Sequence, residues 1–148
     1  MASLQLLTEE HLGGAAALEG LCFSEPWSEQ SLLLITRDKN FGVVASEDGE
    51  VVAYGGMTCC LDEGSVTNIA VHPDFRRRGL GRAVVLRMLD EAKKRGIRSV
   101  FLEVRVSNEA ARSLYLSEGF SEIGRRKNFY RAPVEDALAM AYYFDKED

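Results

Sequence analysis

The sequence predicts an α/β fold in which helices flank a mixed, mostly antiparallel β-sheet. Three patterns carry that expectation. Strand-like segments at Gly42–Ser46, Val51–Cys60 and Ser65–Val71 follow one another through short turns, as antiparallel neighbours do. A helical segment then separates Ser65–Val71 from the next strand-like run, Ser99–Val106, so these two are expected to lie parallel, joined by a right-handed crossover. Two closing strands near Ser121–Tyr130 and Leu138–Phe144 complete the sheet.

Each element has a local reason. Leu4–Leu7 reads as a short strand, and Thr8-Glu9-Glu10 opens a helical pattern carrying Leu12, Ala16, Leu18 and Leu21, weakened by its glycines. Pro26-Trp27-Ser28-Glu29 starts a second helix, with Ser28 as N-cap ahead of Leu32, Leu33 and Ile35. Asp48-Gly49 between two apolar runs is a hairpin signal. After Gly81, Val85, Met88, Leu89 and Ala92 fall at helical spacing while Arg87, Asp90, Glu91, Lys93 and Lys94 take the other face, and Gly96 ends the helix. A further helix starts at Ser107 or Asn108, turns Ala111, Leu114 and Tyr115 to one side, and stops at Gly119. There are no repeats, low-complexity stretches or linkers.

The 148 residues, 46% of them hydrophobic, are enough for one domain spanning 1–148. A net charge of −5 argues against a nucleic-acid groove, which needs a basic face. It suits a cationic partner such as an amine or a basic protein tail, and equally an ordinary solvated surface. Cys22, Cys59 and Cys60 lack Cys-x-x-Cys spacing, so free thiols in a reducing compartment are expected. The N-terminus has no basic region followed by an apolar run, and no stretch approaches about 18 continuous apolar residues. A cytoplasmic protein without a membrane partner is therefore expected. His11 and His72 have no companion at metal-ligand spacing, so no metal is expected.

The segment richest in chemistry is Asn68-Ile69-Ala70-Val71-His72-Pro73-Asp74-Phe75-Arg76-Arg77-Arg78-Gly79-Leu80-Gly81, a strand that runs through three arginines and two glycines into a helix. Glycines allow a tight turn whose N–H groups converge, and the helix adds unpaired N–H groups and its positive dipole end. An anion such as phosphate fits there. A nucleotide-triphosphate loop fails, because no lysine and hydroxyl pair follows Gly81. A dinucleotide fingerprint gains two glycines and Glu103, but breaks at Val84, where its third glycine or alanine belongs. A pyrophosphate cradle for coenzyme A is the third reading.

Arg76-Arg77-Arg78-Gly79-Leu80-Gly81 resembles the [QR]-x-x-G-x-[GA] signature of the GNAT N-acetyltransferases, and the order of predicted elements agrees with that fold over the whole chain. Within that family, the chain resembles the RimI group of ribosomal-protein alanine N-acetyltransferases more closely. Pro26-Trp27-Ser28, Leu61-Asp62-Glu63, Asn68-Ile69-Ala70-Val71, Arg78-Gly79-Leu80-Gly81-Arg82-Ala83, Leu102-Glu103-Val104-Arg105, Ser107-Asn108, Leu114-Tyr115, Gly119-Phe120 and Glu135-Asp136-Ala137 match its pattern in order and spacing.

The resemblance implies a sheet splayed between its two central parallel strands, with acetyl-coenzyme A in the gap as co-substrate. It assigns Ile69, Ala70 and Val71 to the pantetheine arm, Arg76, Arg77, Arg78, Gly79, Leu80, Gly81 and Arg82 to the pyrophosphate, and Asn108 to the cofactor as well. Free strand-edge groups pair with amides of an added strand, which suits pantetheine. Plain core packing accounts equally for Ile69 and Val71, and an N-cap for Asn108. Glu103 is implied as the general base that deprotonates the incoming ammonium, an ion pair with Arg105 being the plainer reading. Tyr115 is implied as the acid that protonates the departing thiolate, a core tyrosine being its plainer reading.

On the acceptor side, the resemblance implicates Glu25, Trp27, Asn128 and Tyr130 in flanking the groove, with Trp27 either an interface anchor or core. Glu25 stands where an apolar residue is common in that group, and Arg126–Tyr130 resembles its pattern loosely. The implied reaction is direct transfer to a protein N-terminal α-amine, that of a small-subunit ribosomal protein starting with alanine. No Gly-x-Ser-x-Gly elbow or Cys–His constellation suggests an acyl-enzyme. Transfer to a small amine or to protein lysines, and a non-catalytic acyl-coenzyme A binding module, are the alternatives.

Overall fold

The structure, a computed structural model, describes residues 2–144. Its N-terminal sheet is built on tight antiparallel turns. Strand β1 (Ser3–Leu6) pairs with β2 (Phe41–Glu47), and β2 turns into β3 (Glu50–Cys60) through Asp48 and Gly49, with φ of 53° and 80°. Those two positive angles are what a two-residue hairpin of this hand demands, and they explain the Asp-Gly pair. β3 pairs in turn with β4 (Glu63–Val71).

Helix α3 (Leu80–Lys94) crosses from β4 to β5 (Ser99–Arg105), which lies parallel to β4 as expected. Helix α4 (Glu109–Ser117) follows, and then β6 (Ser121–Arg131) and β7 (Val134–Tyr143). The seven strands stand in the order β1-β2-β3-β4-β5-β7-β6.

Two apolar layers sandwich the N-terminal strands. Val84, Val85, Met88, Leu89 and Ala92 of α3 pack with Val43, Ala45 and Ala53 on one face. Leu12, Ala15 and Leu18 of α1 (Leu12–Cys22) pack with Val44, Tyr54 and Ala70 on the other. Strand alternation divides neighbouring residues between the two layers, and each fully buried valine or leucine stabilises the fold by about 1.5–3 kcal/mol.

Several expectations are corrected. The helix expected from Thr8 begins as a 3-10 turn, Glu9–His11, and becomes α-helical at Leu12. Its inward face includes Ala15 and Glu19, whereas Leu21 is 57% exposed. Gly14 is where the helix approaches the sheet, since a Cβ there would meet Val51 Cγ2 at 2.8 Å. The second helix is a single α turn, α2 (Glu29–Leu32), followed by a 3-10 turn, Leu33–Thr36, although Ser28 caps it as expected through Ser31 N–H at 3.1 Å. Another 3-10 turn, Pro73–Phe75, separates β4 from the arginine loop. The last strand begins at Val134, four residues earlier than expected, and so includes Glu135 and Asp136, whose carboxylates accept from Arg105 and Arg125.

Among the described residues, no helix is long and apolar enough to cross a membrane. Cys22, Cys59 and Cys60 are free thiols.

Candidate active site

β4 and β5 pair only at Glu63↔Ser99, Gly64↔Val100 and Ser65↔Phe101. Beyond that point Ile69, Ala70 and Val71 stay registered with β3, while Leu102 to Arg105 stay with β7. The sheet therefore splits along its middle. A bulge sharpens the split: Gly56 on β3 faces both Thr67 and Asn68 on β4, and bulges bend the strand that carries them. A Cβ at position 56 would come within 2.5 Å of Thr67 Oγ1 and 2.6 Å of Ile35 Cδ1, so any side chain there would have to displace one or both.

The split opens a cleft of about 360 Å³. Ile69, Glu103, Asn108, Tyr115, Tyr130 and Glu25, from five separate parts of the chain, line it together. Tyr115 is 7% exposed, and its ring packs 5.7 Å from that of Phe120. Burial, with the neighbouring Tyr130 adding to it, holds the Tyr115 hydroxyl above its ordinary pKa, so it stays protonated. Burial first and the Glu103 charge second push Tyr130 up to about 12, against the opposing pull of Arg105.

The plainer reading of Glu103, an ion pair with Arg105, does not hold. Glu103 lies past the parallel pairing, opposite Ala139 of the antiparallel β7, and its side chain is 31% exposed. Its cation is Arg126 of β6, with Nε 3.5 Å from Oε2. Arg105 is engaged elsewhere: its Nη1 donates to Glu135 Oε1 at 3.1 Å, and its guanidinium lies 4.4 Å from the Tyr130 ring centroid. Glu135 also accepts Ser107 N–H at 2.6 Å, and the Ser107 side chain first, then its N–H, hold the carboxyl below the usual range.

Asn108 is the N-cap of α4, its Oδ1 accepting Ala111 N–H at 3.2 Å, and it lines the cleft from that position. Ala70 is buried toward Tyr54. The Val71 carbonyl accepts Arg76 Nε–H at 3.2 Å, which folds that arginine back along the strand. Arg78 lies 4.9 Å from the Phe75 ring centroid and 3.8 Å from Glu47 Oε2.

Arg77 and Gly79 take φ of 66° and 77°, so the loop coils back on itself just before Leu80 begins α3. Gly81 sits in the first turn of α3 between Leu114 and Val71, the nearest atoms to a Cβ there, which brings this loop beside the cleft. Arg82 is ion-paired with Glu118 of the α4 C-terminus. The loop therefore suits a polyanion: it is exposed and cationic, and it abuts the N-terminus of a helix of 15 residues.

Trp27 is half-buried against the α1 layer. Asn128 occupies an irregular stretch of β6 at φ 53°, with its N–H on Asp136 Oδ1 at 2.8 Å. The two histidines have local partners: His11 Nδ1 accepts Thr8 N–H at 2.9 Å, and His72 Nδ1 accepts Asp74 N–H at 3.1 Å.

Sequence reasoning missed Arg126 as the partner of Glu103, and it missed Glu19. Glu19 is 0% exposed on α1, with its carboxylate accepting from Trp27 N–H, Asn68 Nδ2 and the Tyr54 hydroxyl. A signal existed, since Glu19 follows Leu12 and Ala15 at i, i+3, i+7 spacing on an otherwise apolar face.

Residues 13–120 match the acetyltransferase (GNAT) family. The chain is 37% identical to the ribosomal protein bS18-alanine N-acetyltransferase of Escherichia coli K12 over 143 residues, 95% of this chain and 97% of that protein. It is 32% identical to the enzyme of the same name from Haemophilus ducreyi over 143 residues, 95% of this chain and 99% of that one. The crystal structure of the ribosomal-protein-S18-alanine N-acetyltransferase from Escherichia coli superposes with a TM-score of 0.90 at 36% identity, covering 100% of this chain and 98% of that one. On the family match, these relatives and the parted sheet, the chain belongs to the GNAT family of N-acetyltransferases.

Proposed function

We propose that this chain transfers the acetyl group of acetyl-coenzyme A to the N-terminal α-amine of a protein, the acceptor being a bS18-type ribosomal protein that begins with alanine. The observation that carries the reading is the convergence of Glu103 and Tyr115 on one cleft between parted strands, in a chain whose relatives bear that activity in their names. The cytoplasm is where such an acceptor is made.

The chemistry follows from the side chains available. An α-ammonium has an ordinary pKa of about 7.7–8.0, so near neutral pH it needs only modest help to lose its proton. Glu103, directly or through a water, takes that proton, and the freed lone pair attacks the thioester carbon. When the tetrahedral adduct collapses, its nitrogen gives up a second proton to solvent, the C–S bond breaks and the electron pair leaves on sulfur. Tyr115 donates its proton there. Burial keeps the Tyr115 hydroxyl protonated, and so able to donate when the thiolate forms.

The strand edge of β4 at Ile69 and the coiled loop from Arg76 to Arg82 suit the pantetheine amides and the pyrophosphate. Glu25, on the loop after α1, and Tyr130, on β6, line the cleft from its two sides and would face the acceptor, with Trp27 and Asn128 supporting those two segments.

The test is a peptide of bS18 N-terminal sequence that also contains an internal lysine, incubated with acetyl-coenzyme A. The expected product carries acetyl on the α-nitrogen by fragmentation mass spectrometry. Acetyl on lysine, or turnover with polyamines and none with the peptide, would overturn the acceptor assignment.

A further inference from the structure

The inward stripe of α1 is apolar at Leu12, Ala15 and Leu18 and then presents Glu19, a fully buried carboxylate that the chemistry above does not use. Burying a carboxylate is costly unless hydrogen bonds satisfy it. Its donors here are neutral and come from three elements. Oε1 accepts Trp27 N–H at 2.9 Å and Asn68 Nδ2–H at 3.1 Å, and Oε2 accepts Asn68 Nδ2–H at 3.0 Å and the Tyr54 hydroxyl.

Two of these contacts reach the walls of the cleft. The Glu19 main-chain carbonyl accepts Phe23 N–H at 2.9 Å while its carboxylate takes Trp27 N–H, so one residue grips both ends of the short loop between them. Phe23, Ser24 and Glu25, within that loop, line the cleft. Asn68 lies in the β4 bulge where the strands part, next to Ile69. The carboxylate thus joins the loop wall to the parted strand through Trp27 and Asn68, while the Tyr54 hydroxyl helps to satisfy its buried charge from β3.

We infer that Glu19 is a positioning residue, its carboxylate holding the loop from Phe23 to Trp27 against the open edge of β4 and so fixing the acceptor wall of the cleft. This rests on the acceptor side proposed above. A residue in this role acts on acceptor binding more than on the cofactor, because the loop wall depends on its Trp27 bond, whereas the pantetheine edge at Ile69 is held by its own pairing with β3 and the arginine loop lies at the start of α3. Small displacements of a positioning wall are enough to weaken productive binding.

Trp27 is the single tryptophan of the chain, so its fluorescence reports this loop alone. Three proteins are compared at a temperature where circular dichroism shows them folded: wild type, Glu19→Gln and Tyr54→Phe. Glu19→Gln puts an amide donor among donors and loosens the grip on Trp27. Tyr54→Phe deletes one bond to the carboxylate and leaves those to Trp27 and Asn68.

Glu19→Gln is expected to raise the peptide KM about tenfold, with the acetyl-coenzyme A KM within about twofold, and to increase acrylamide quenching of Trp27. Tyr54→Phe is expected to lower thermal stability while peptide KM and quenching stay near wild type. In wild type, the Trp27 amide is expected to exchange at least about a hundredfold more slowly than that of Ser24.

A wild-type peptide KM and quenching in Glu19→Gln overturns the inference. So does Tyr54→Phe raising the peptide KM as much as Glu19→Gln, or a Trp27 amide that exchanges as fast as Ser24. If Glu19→Gln does not fold, the wild-type exchange measurement decides. If wild type acetylates no peptide, the acceptor reading fails, and quenching and exchange still decide whether the tether exists.

Discussion

Arg126 Nε lies 3.5 Å from Glu103 Oε2, so the carboxylate proposed as general base is steadied by a cation from the edge strand β6. Both side chains are partly in water, at 61% and 31% exposure, which limits what the pair contributes. Arg126→Gln is expected to lower kcat/KM by less than about tenfold, whereas Glu103→Gln removes the base itself. Steady-state kinetics of the two variants side by side checks this ordering.

Tyr115→Phe keeps the packing against Phe120 and removes only the hydroxyl. It is expected to lower kcat by about ten- to a thousandfold with little change in the KM for acetyl-coenzyme A. An equal change in KM with kcat preserved would make Tyr115 a binding residue only.

Gly79 has φ 77°, and no atom lies within 4 Å of where a Cβ would be. Alanine there meets no clash and suffers only the backbone penalty, about 1 kcal/mol. A small fall in melting temperature is expected. Neutralising Arg77 and Arg78 together is expected to raise the acetyl-coenzyme A KM and to flatten its dependence on salt between about 0.05 and 0.5 M.

Tyr54, Tyr115 and Tyr130 all have hydroxyl pKa values raised by burial. A group whose folded pKa exceeds its unfolded value stabilises the fold fully below the unfolded value, about pH 10 for tyrosine, and loses that contribution as pH rises through the folded value. Melting temperature is therefore expected to fall from about pH 10 upward, with tyrosinate absorbance appearing together with unfolding and not before it. On the acid side, Asp136 is held low by Asn128 N–H and then by Arg125, so its contribution is complete above the ordinary carboxylate range and lost below it.

What could be read in the sequence was local. Asp48-Gly49 and the helix-ending Gly96 and Gly119 each announced a positive φ, and all four angles are positive. The face of α3 was legible because charged and apolar residues alternate cleanly along it. The face of α1 was not, since Leu12, Ala15, Ala16, Leu18 and Leu21 surround most of that helix with apolar groups and only packing against Val51 and Tyr54 selects among them. The parallel pairing of β4 with β5 followed from the crossover, but its early end depends on the bulge at Thr67 and Asn68, which no local signal marks. Glu103 was identifiable as a carboxylate on an apolar strand. Its partner was not, because Arg126 arrives from a strand two places across the sheet whose register shifts before and after it.

The central claim is that this cleft catalyses acetyl transfer to an N-terminal amine with Glu103 as base. Release of free coenzyme A in the presence of an alanine-starting bS18 peptide, measured for wild type and Glu103→Gln, tests it most directly. The account predicts peptide-dependent release by wild type and a loss of at least about a hundredfold in the variant. Release that is independent of the peptide, or that survives in Glu103→Gln, would contradict it.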